Sequence, residues 1–253
     1  MRAHAVAALA VWWVTGCGVV GFPSASPTDG APGDGPSPPL RATQTGTEIL
    51  VEVEGRFLLR FAAAREWMAV DWRDATDPDR SLAPMPALAD PSRDVVSGLL
   101  VSDGTGWRGA GDGQGGSITA AVFGPDRAEF TAEFELAWPS RLASVRATNV
   151  ITAEGEWTVA WRIEVPGAAL AGLEYADLHV DDTQAWTGST PSSDSYRIRR
   201  DGAGPQPTLT VTRAAPLGVL GSDELYNQYW AEMDVDVTSP IERRWTVQLW
   251  PPT

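Results

Sequence analysis

The chain has 253 residues and a formal net charge of −14. All 19 basic residues are arginine, which excludes a lysine Schiff base, a lysine general base and a lysine phosphate clamp. The acidic balance argues against nucleic acid and polyanionic sugars as partners, because both need clustered positive charge. Neutral glycans, cations and other proteins are compatible with this balance.

The N-terminus has the features of an export signal. Met1 and Arg2 precede an apolar run at residues 3–14. This run is shorter than the roughly 20 residues that a membrane span needs, but it is typical of a signal-peptide core. It ends in Val14-Thr15-Gly16-Cys17, which resembles the lipobox of bacterial lipoproteins: an aliphatic residue, two small residues and an invariant cysteine. The alternative is an ordinary secretory signal cleaved near Ala25.

The lipoprotein resemblance implies a specific fate for this segment. Residues 1–16 would be removed as the signal peptide, and Cys17, the sole cysteine, would carry a diacylglyceryl group and usually an N-acyl chain. The lipid bilayer would then be a partner through Cys17, and the protein would be extracytoplasmic, anchored to the cell membrane or the outer membrane. In residues 18–39, 14 of 22 positions are Gly, Pro or Ser, so residues 17–45 are predicted to be a lipidated cysteine followed by a disordered linker.

Alternation of apolar and polar residues dominates the rest of the chain. A strand points successive side chains to opposite faces, so each alternating run predicts a strand with one buried and one wet face. The longest runs are at residues 128–138, 143–151 and 157–165. Shorter runs are at residues 48–54, 56–62, 66–72, 95–101, 118–123, 173–181, 196–200, 209–213, 233–237 and 245–250.

These runs predict an all-β fold. About eleven short strands separated by turn residues indicate an antiparallel β-sandwich with little helix, formed as a single domain by residues 46–253. One helical turn is predicted at residues 222–231, with Ser222 as its cap. The aromatic stripe of the longest runs should lie between two packed sheets, because a slip of one residue would expose all of it. This stripe consists of Phe130, Phe134, Trp138, Trp157 and Trp161.

Four aspartates in one predicted loop are candidate calcium ligands. Calcium takes six to eight oxygen ligands, and alternate acids in a loop can supply several of them. The spacing of Asp71, Asp74, Asp77 and Asp79 does not match the EF-hand pattern. The alternative is a solvated acidic loop, and no other cofactor is predicted.

The glycine-rich segment 102–117 contains Trp107, for which the pattern provides no buried strand face. An exposed tryptophan of this kind is a candidate platform for stacking of a sugar ring. A phosphate cradle is not indicated, because a strand and not a helix is predicted to follow the glycines. The alternative is a mobile loop without a ligand.

Further ligand candidates lie in the C-terminal third. Strand alternation places His179, the only histidine after the signal peptide, on the face of Asp177 and Asp181. No nucleophile-elbow sequence is present, and the histidines and cysteines are too few for a zinc site, so no catalytic residue is assigned. Aromatic and acidic residues in predicted loops and turns complete the candidate set: Asp182, Trp186, Glu224, Tyr226, Tyr229 and Trp230.

A tryptophan-rich all-β domain behind a lipobox resembles carbohydrate-handling β-sandwiches, including the galactose-mutarotase-like class. Mutarotases use paired histidines, which this chain lacks, so the resemblance implies the fold and not the activity. We therefore expect a membrane-anchored extracytoplasmic lipoprotein that recognises carbohydrate or another surface without catalysis. One alternative is a glycan-active enzyme that pairs Asp181 or Asp182 with Glu224. Another is a structural envelope protein that binds a second protein.

Overall fold

The computed structural model describes residues 39–74, 81–83, 97–167, 169–179, 186–192, 195–200, 208–213, 220–223, 228–233 and 237–248. Within these ranges the regular elements are strands and two 3₁₀ turns, and no helix there is long and apolar enough to cross a membrane. The turns are Ala63–Arg65 and Ala110–Asp112. The prediction of an all-β fold with little helix is confirmed.

The strands are numbered in chain order. In the first half they are β1 Leu40–Gln44, β2 Glu48–Val53, β3 Phe57–Ala62, β4 Met68–Asp74, β5 Ser81–Ala83, β6 Ser97–Ser102, β7 Trp107–Gly109, β8 Gln114–Phe123, β9 Arg127–Trp138 and β10 Arg141–Thr152. In the second half they are β11 Glu156–Glu164, β12 Ala169–Leu170, β13 Gly172–His179, β14 Trp186–Ser192, β15 Ser195–Arg200, β16 Thr208–Arg213, β17 Leu220–Asp223, β18 Gln228–Met233, β19 Val237–Thr238 and β20 Ile241–Gln248.

Two large antiparallel sheets contain most of these strands. One is the sequential meander β1-β2-β3-β4-β5, and the other has eight strands in the order β14-β15-β16-β20-β11-β10-β9-β8. A five-stranded sheet, β17-β18-β13-β6-β7, and the pair β12-β19 complete the described elements. The strands outnumber the predicted eleven because several are too short, at two to four residues, to show an alternating pattern.

The core lies between the β1–β5 sheet and the eight-stranded sheet. The Phe61 ring of β3 contacts Phe130 of β9 edge-on, with ring centroids 4.8 Å apart, and it contacts Trp157 of β11 at 5.7 Å. All five residues of the predicted aromatic stripe are buried. The alternation is also preserved in the register, since Val145 lies opposite Phe134 and Ile163. The prediction of a stripe packed between two sheets is therefore confirmed.

Two local predictions are wrong. The disordered linker was predicted to extend to residue 45, but residues 40–44 form β1, which pairs with β2, and the Leu40 side chain is buried in the core. Composition missed this strand because it is short and follows directly after the proline-rich segment. Residues 222–223 and 228–231 lie in β17 and β18 and not in a helical turn, since Ser222 pairs with Tyr229, and residues 224–227 lie outside the described residues. Pairing with β13 on the other side of β18 supplies hydrogen bonds that a lone helical turn lacks.

The stripe predicts a large difference in stability between two tryptophan variants. Trp161 is 1% exposed, and Trp161→Ala should lower the free energy of unfolding by about 3–5 kcal/mol because it leaves a cavity in the core. Trp107 is 41% exposed, and Trp107→Ala should cost less than about 1 kcal/mol. Trp161→Phe should be milder than Trp161→Ala, because the buried Trp161 indole N–H has no hydrogen-bond partner to lose. Urea unfolding measures all three, and equal losses for the two alanine variants would contradict the assignment of core and surface.

Candidate functional site

The glycine-rich segment 102–117 contains a hairpin between β6 and β7, a 3₁₀ turn and the start of β8. Strand β7 pairs with β6, and Trp107 lies opposite Ser102. The turn between them contains Gly104 at φ +90°, a left-handed conformation that favours glycine. The Asp103 carboxylate accepts hydrogen bonds from the Thr105 N–H at 2.8 Å and the Thr105 hydroxyl at 2.6 Å. This Asx-turn, in which the Asp103 side chain binds the backbone two residues on, fixes the backbone conformation directly before Trp107.

The indole of Trp107 lies across the neighbouring strands. Ser102 of β6 has Trp107 on one side and Gly172, the first residue of β13, on the other. A Cβ atom on Gly172 would lie 2.6 Å from Cη2 of the indole and 3.0 Å from Cζ2, so only glycine leaves room for the ring at this position. The ring therefore crosses β6 and rests on the backbone of β13. The ring is therefore supported on the side that faces Gly172, while 41% of the Trp107 residue is exposed to solvent.

Two contacts attach this hairpin to the eight-stranded sheet. The buried Trp138 indole donates a hydrogen bond to the Gly106 carbonyl at 3.0 Å, and Arg108 Nε donates to the Ala137 carbonyl at 3.3 Å. The two sheet residues that make these bonds, Ala137 and Trp138, are the last two residues of β9. The platform is consequently held in one orientation before any ligand arrives, which reduces the ordering cost of binding.

The turn before Trp107 carries the carboxylate of Asp103. Burial opposes ionisation of Asp103 slightly, but the hydrogen bonds from Thr105, the charge of Arg141 and the Gly106 N–H together lower the pKa of Asp103 below its ordinary value. Asp103 is thus an anion at neutral pH and can accept hydrogen bonds from ligand hydroxyl groups. An anionic group on a ligand would be repelled at this position.

The outer face of the eight-stranded sheet provides a polar cavity beside the second half of the same strand β9. Its volume is about 400 Å³, and its lining includes Ser117, Glu133, Glu135, Ser144 and Glu164. Arg146 Nε donates to Glu133 at 2.7 Å, and Arg162 Nε donates to Glu164 at 2.8 Å. Two of the three lining carboxylates are therefore bonded to arginine.

A strained corner precedes β4. Glu66 and Trp67 both have left-handed backbones, with φ of 55° and 62°, although neither is glycine. The Glu66 side chain occupies the space beside Gly116, where a Cβ atom would lie 1.8 Å from Glu66 Oε2. Oε2 is buried and has no hydrogen-bond partner. Burial raises the pKa of Glu66, and the hydrogen bond from the Gly116 N–H lowers it less than burial raises it.

Two of the four predicted calcium ligands lie in a strand and not in a loop. Asp71 and Asp74 lie in strand β4, and the buried Asp71 carboxylate binds Arg73 Nε at 2.6 Å and lies 3.8 Å from Arg60 Nε. The strand continues through Asp74 because β3 pairs with it over that length. Asp77 and Asp79 lie outside the described residues. Among the described residues no three acidic, histidine or cysteine side chains form a metal-binding group.

The structure gives strand positions for four of the remaining candidates. Trp186 begins β14 opposite Arg200, and His179 ends β13 opposite Gln228. Tyr229 and Trp230 lie in β18, which is the neighbour of β13, and not in the predicted loop or turn. Cys17, Asp181, Asp182, Glu224 and Tyr226 lie outside the described residues.

Sequence patterns gave no signal for the Glu66 corner. Glu66 begins an alternating run, which predicts an extended backbone, whereas the structure places a 3₁₀ turn at Ala63–Arg65 and a left-handed residue after it. The only relevant sign is Gly116, but it lies 50 residues away among six other glycines in segment 102–117. Their proximity arises from the packing of this turn against β8, which no local pattern encodes.

Comparison with known proteins gives a likeness of fold only. No protein-family model matches the chain, and no curated protein matches it. Solved structures that are similar to it include a protein assigned as an aldose 1-epimerase from Escherichia coli K12 (9% identity, TM-score 0.47, covering 83% of this chain and 98% of that one). Galactose 1-epimerase from Lactobacillus acidophilus NCFM has 8% identity and a TM-score of 0.47, covering 83% of this chain and 97% of its own. The 4-alpha-glucanotransferase from Thermococcus litoralis has 9% identity and a TM-score of 0.44, covering 84% of this chain and 40% of its own.

These values assign neither an activity nor site residues to this chain. The function of this chain must therefore be inferred from the geometry of its own side chains.

The Glu66 corner predicts a pH-dependent effect on stability. Because the folded-state pKa of Glu66 is above the ordinary value of 4.5, the folded state holds the Glu66 proton more tightly than the unfolded state does. Ionised Glu66 then opposes folding above its raised pKa, and this opposition is lost as the pH falls towards 4.5. Glu66→Gln should accordingly raise the melting temperature at pH 7, and the gain should shrink at lower pH.

Thermal melts at several pH values measure this change. Glu52→Gln removes one charge from an exposed position on β2 of the same sheet and is the matched control. A gain for Glu66→Gln that is constant with pH, or a loss at neutral pH, would contradict burial as the cause.

Proposed function

We propose that this protein is a lipid-anchored extracytoplasmic protein whose β-domain binds neutral carbohydrate at Trp107 without catalysis. The observation that supports the binding role most strongly is the exposed Trp107 ring resting on Gly172. Among the tryptophans whose burial the structure describes, Trp107 is exposed to a ligand and the other six are buried: Trp67, Trp72, Trp138, Trp157, Trp161 and Trp245.

The surroundings of Trp107 suit a sugar. Aromatic rings combine a large apolar face with a rigid side chain, and tryptophan is enriched among the residues that dominate binding energies. A pyranose presents an apolar face of C–H groups and a rim of hydroxyl groups. The indole would contact the apolar face, while the Asp103 carboxylate would accept hydrogen bonds from the rim. The negative charge of Asp103 and of the chain as a whole favours neutral glycans at this position.

The proposed anchoring is supported by the sequence ending Val14-Thr15-Gly16-Cys17 and by the linker composition. Two or three acyl chains on Cys17 would hold the protein stably at a membrane, which a single chain does not achieve. The Gly, Pro and Ser-rich segment would then let the domain reach ligands near the membrane surface. The paired-carboxylate enzyme stays a prediction, because Asp181, Asp182 and Glu224 lie outside the described residues. The protein-binding alternative also stays a prediction.

Cys17 is expected to be acylated in a bacterial host. Mass spectrometry of the mature N-terminal peptide would detect a diacylglyceryl group on Cys17, with or without an N-acyl chain. The variant Cys17→Ser should yield an unmodified precursor and release the protein from the membrane fraction. A native chain that begins beyond Ala25 and carries no lipid would contradict the proposed anchor.

Glycan binding is expected to depend on the Trp107 ring. A glycan-array screen of the full-length protein, purified in a detergent without a sugar headgroup, would identify a ligand for titration. Trp107→Ala should lower the affinity for that ligand by at least about tenfold, since truncation of a central aromatic anchor typically costs about 2 kcal/mol or more of binding free energy. Trp107→Phe should retain part of the affinity because it keeps an aromatic face.

Leu142→Ala is the matched control, because Leu142 is a similarly exposed apolar residue, at 42%, on β10. Equal affinities for Trp107→Ala and the wild-type protein would show that the site lies elsewhere. A negative array would argue against carbohydrate as the ligand class.

A further inference from the structure

A second binding site is indicated on the outer face of the eight-stranded sheet. The register of β10, β11 and β20 places their side chains in rows across this face. One row contains Arg146, Arg162 and Glu242, and the next contains Thr148, Ala160 and Arg244. Ala160 has the smallest side chain of the second row and lies between two larger ones, so it leaves a depression in the face.

The depression is a cavity of about 460 Å³, which lies within the roughly 300–1,000 Å³ that is typical of small-molecule sites. Its lining includes both rows of side chains and Arg243 of β20. Arg146, Arg162, Arg244 and Glu242 therefore border a space of sufficient size for a hexose on this face, whereas Arg243 lies opposite Trp161 on the inward phase of β20. Glu133, Glu164 and Glu242 balance the charge of these three arginines, but they bind Arg146 and Arg162 and leave Arg244 without a carboxylate partner.

The arginines around the cavity retain unused hydrogen-bond donors. Arg162 donates from Nε to Glu164 at 2.8 Å and from Nη1 to Glu242 at 2.7 Å, and Arg146 donates from Nε to Glu133 at 2.7 Å. Each guanidinium carries five N–H donors, so each has donors left over. The neighbouring carboxylates hold both side chains in place at one edge of the cavity.

Arg244 is the exception among these arginines. Among the arginine side chains that the structure describes, it alone has neither an ion pair nor a hydrogen bond. A guanidinium without a protein partner, facing a depression beside the spare donors of Arg162, can bind a planar carboxylate or a phosphate through two parallel hydrogen bonds.

We propose that this cavity binds a small organic anion, with Arg244 as its principal contact. The ligand class is a carboxylate or phosphate group on a body about the size of a hexose. The anionic group would contact Arg244 and the free donors of Arg162, and the body would lie over Ala160 beside the Thr148 side chain. This site involves none of the residues around Trp107 and does not depend on the proposed glycan function.

Isothermal titration of the full-length protein at low ionic strength tests the proposal, because exposed ionic contacts weaken with salt. The detergent should carry neither a charge nor a sugar headgroup. The probes are D-glucuronate and inorganic phosphate, with D-glucose as the neutral comparison. We expect the two anions to compete for the same site and D-glucose to show no measurable binding there. Tighter binding of D-glucuronate would identify a sugar acid as the preferred type of ligand, and tighter binding of phosphate would identify a phosphorylated one.

Two variants separate charge from space. Arg244→Gln should lower the affinity for either anion by at least about tenfold, the factor expected for loss of a charge-assisted hydrogen bond. Ala160→Phe keeps every charge but fills the depression, and it should abolish binding. Arg41→Gln is the matched control: it removes one exposed arginine, on β1 of the other sheet, and should change affinity by less than about twofold.

The proposal is overturned if neither anion binds to the wild-type protein. It is equally overturned if Arg244→Gln binds as well as the wild type, or if Arg244→Gln and Arg41→Gln lose the same affinity, since a general effect of net charge would then explain the result. Circular dichroism of each variant distinguishes loss of the site from loss of the fold. If Arg244→Gln and Ala160→Phe both unfold, the affinity of Arg244→Lys is compared with that of the wild type instead. A weakened affinity in that folded variant supports bidentate recognition, and an unchanged affinity refutes it.

Discussion

Packing of aromatic side chains between two antiparallel sheets is the interaction on which the rest of this structure depends. Phe61 contacts Phe130 and Trp157, and Trp157 contacts Trp245 with ring centroids 5.6 Å apart, so three strands of the large sheet meet one strand of the other at a single cluster. The Trp157 indole also donates to the buried Asn149 amide oxygen at 3.0 Å, which fixes its orientation. Because side chains alternate along each strand, burial of this cluster determines which residues must face outward.

The proposed anion site follows from that division of faces. The outward phase of β10, β11 and β20 carries Arg146, Arg162 and Arg244, and it cannot turn inward without exposing the aromatic cluster. Trp107 lies outside the alternating strands, in a short strand beyond the end of β9, and is attached there by Trp138 and Arg108. The core thus supports both proposed sites, of which the hairpin at Trp107 would bind hydroxyl groups and the polar face at Arg244 would bind anions.

The sequence predicted those features that are local and periodic, and missed those that arise from distant segments. Alternation was sufficient for the fold class, the buried stripe and the outward position of Trp107. It failed at residues 222–231, where helix signals around Ser222 were overridden by pairing with β13, and at Leu40, whose burial comes from the far sheet. Glu66 beside Gly116, and Arg244 across Ala160 from Thr148, are neighbours only through strand pairing and turn packing. No spacing along the chain records these contacts.

The central claim is that one tryptophan outside the core is the ligand platform, and indole N–H resonances test it most directly. In a ¹H–¹⁵N spectrum of the full-length protein, Trp107→Phe identifies the Trp107 signal by its disappearance, and Trp157→Phe and Trp161→Phe identify two core signals. On titration with an array-selected oligosaccharide, the Trp107 signal should shift with saturation while those of Trp157 and Trp161 stay in place. A Trp107 signal that does not move during saturable binding of the oligosaccharide would contradict the account.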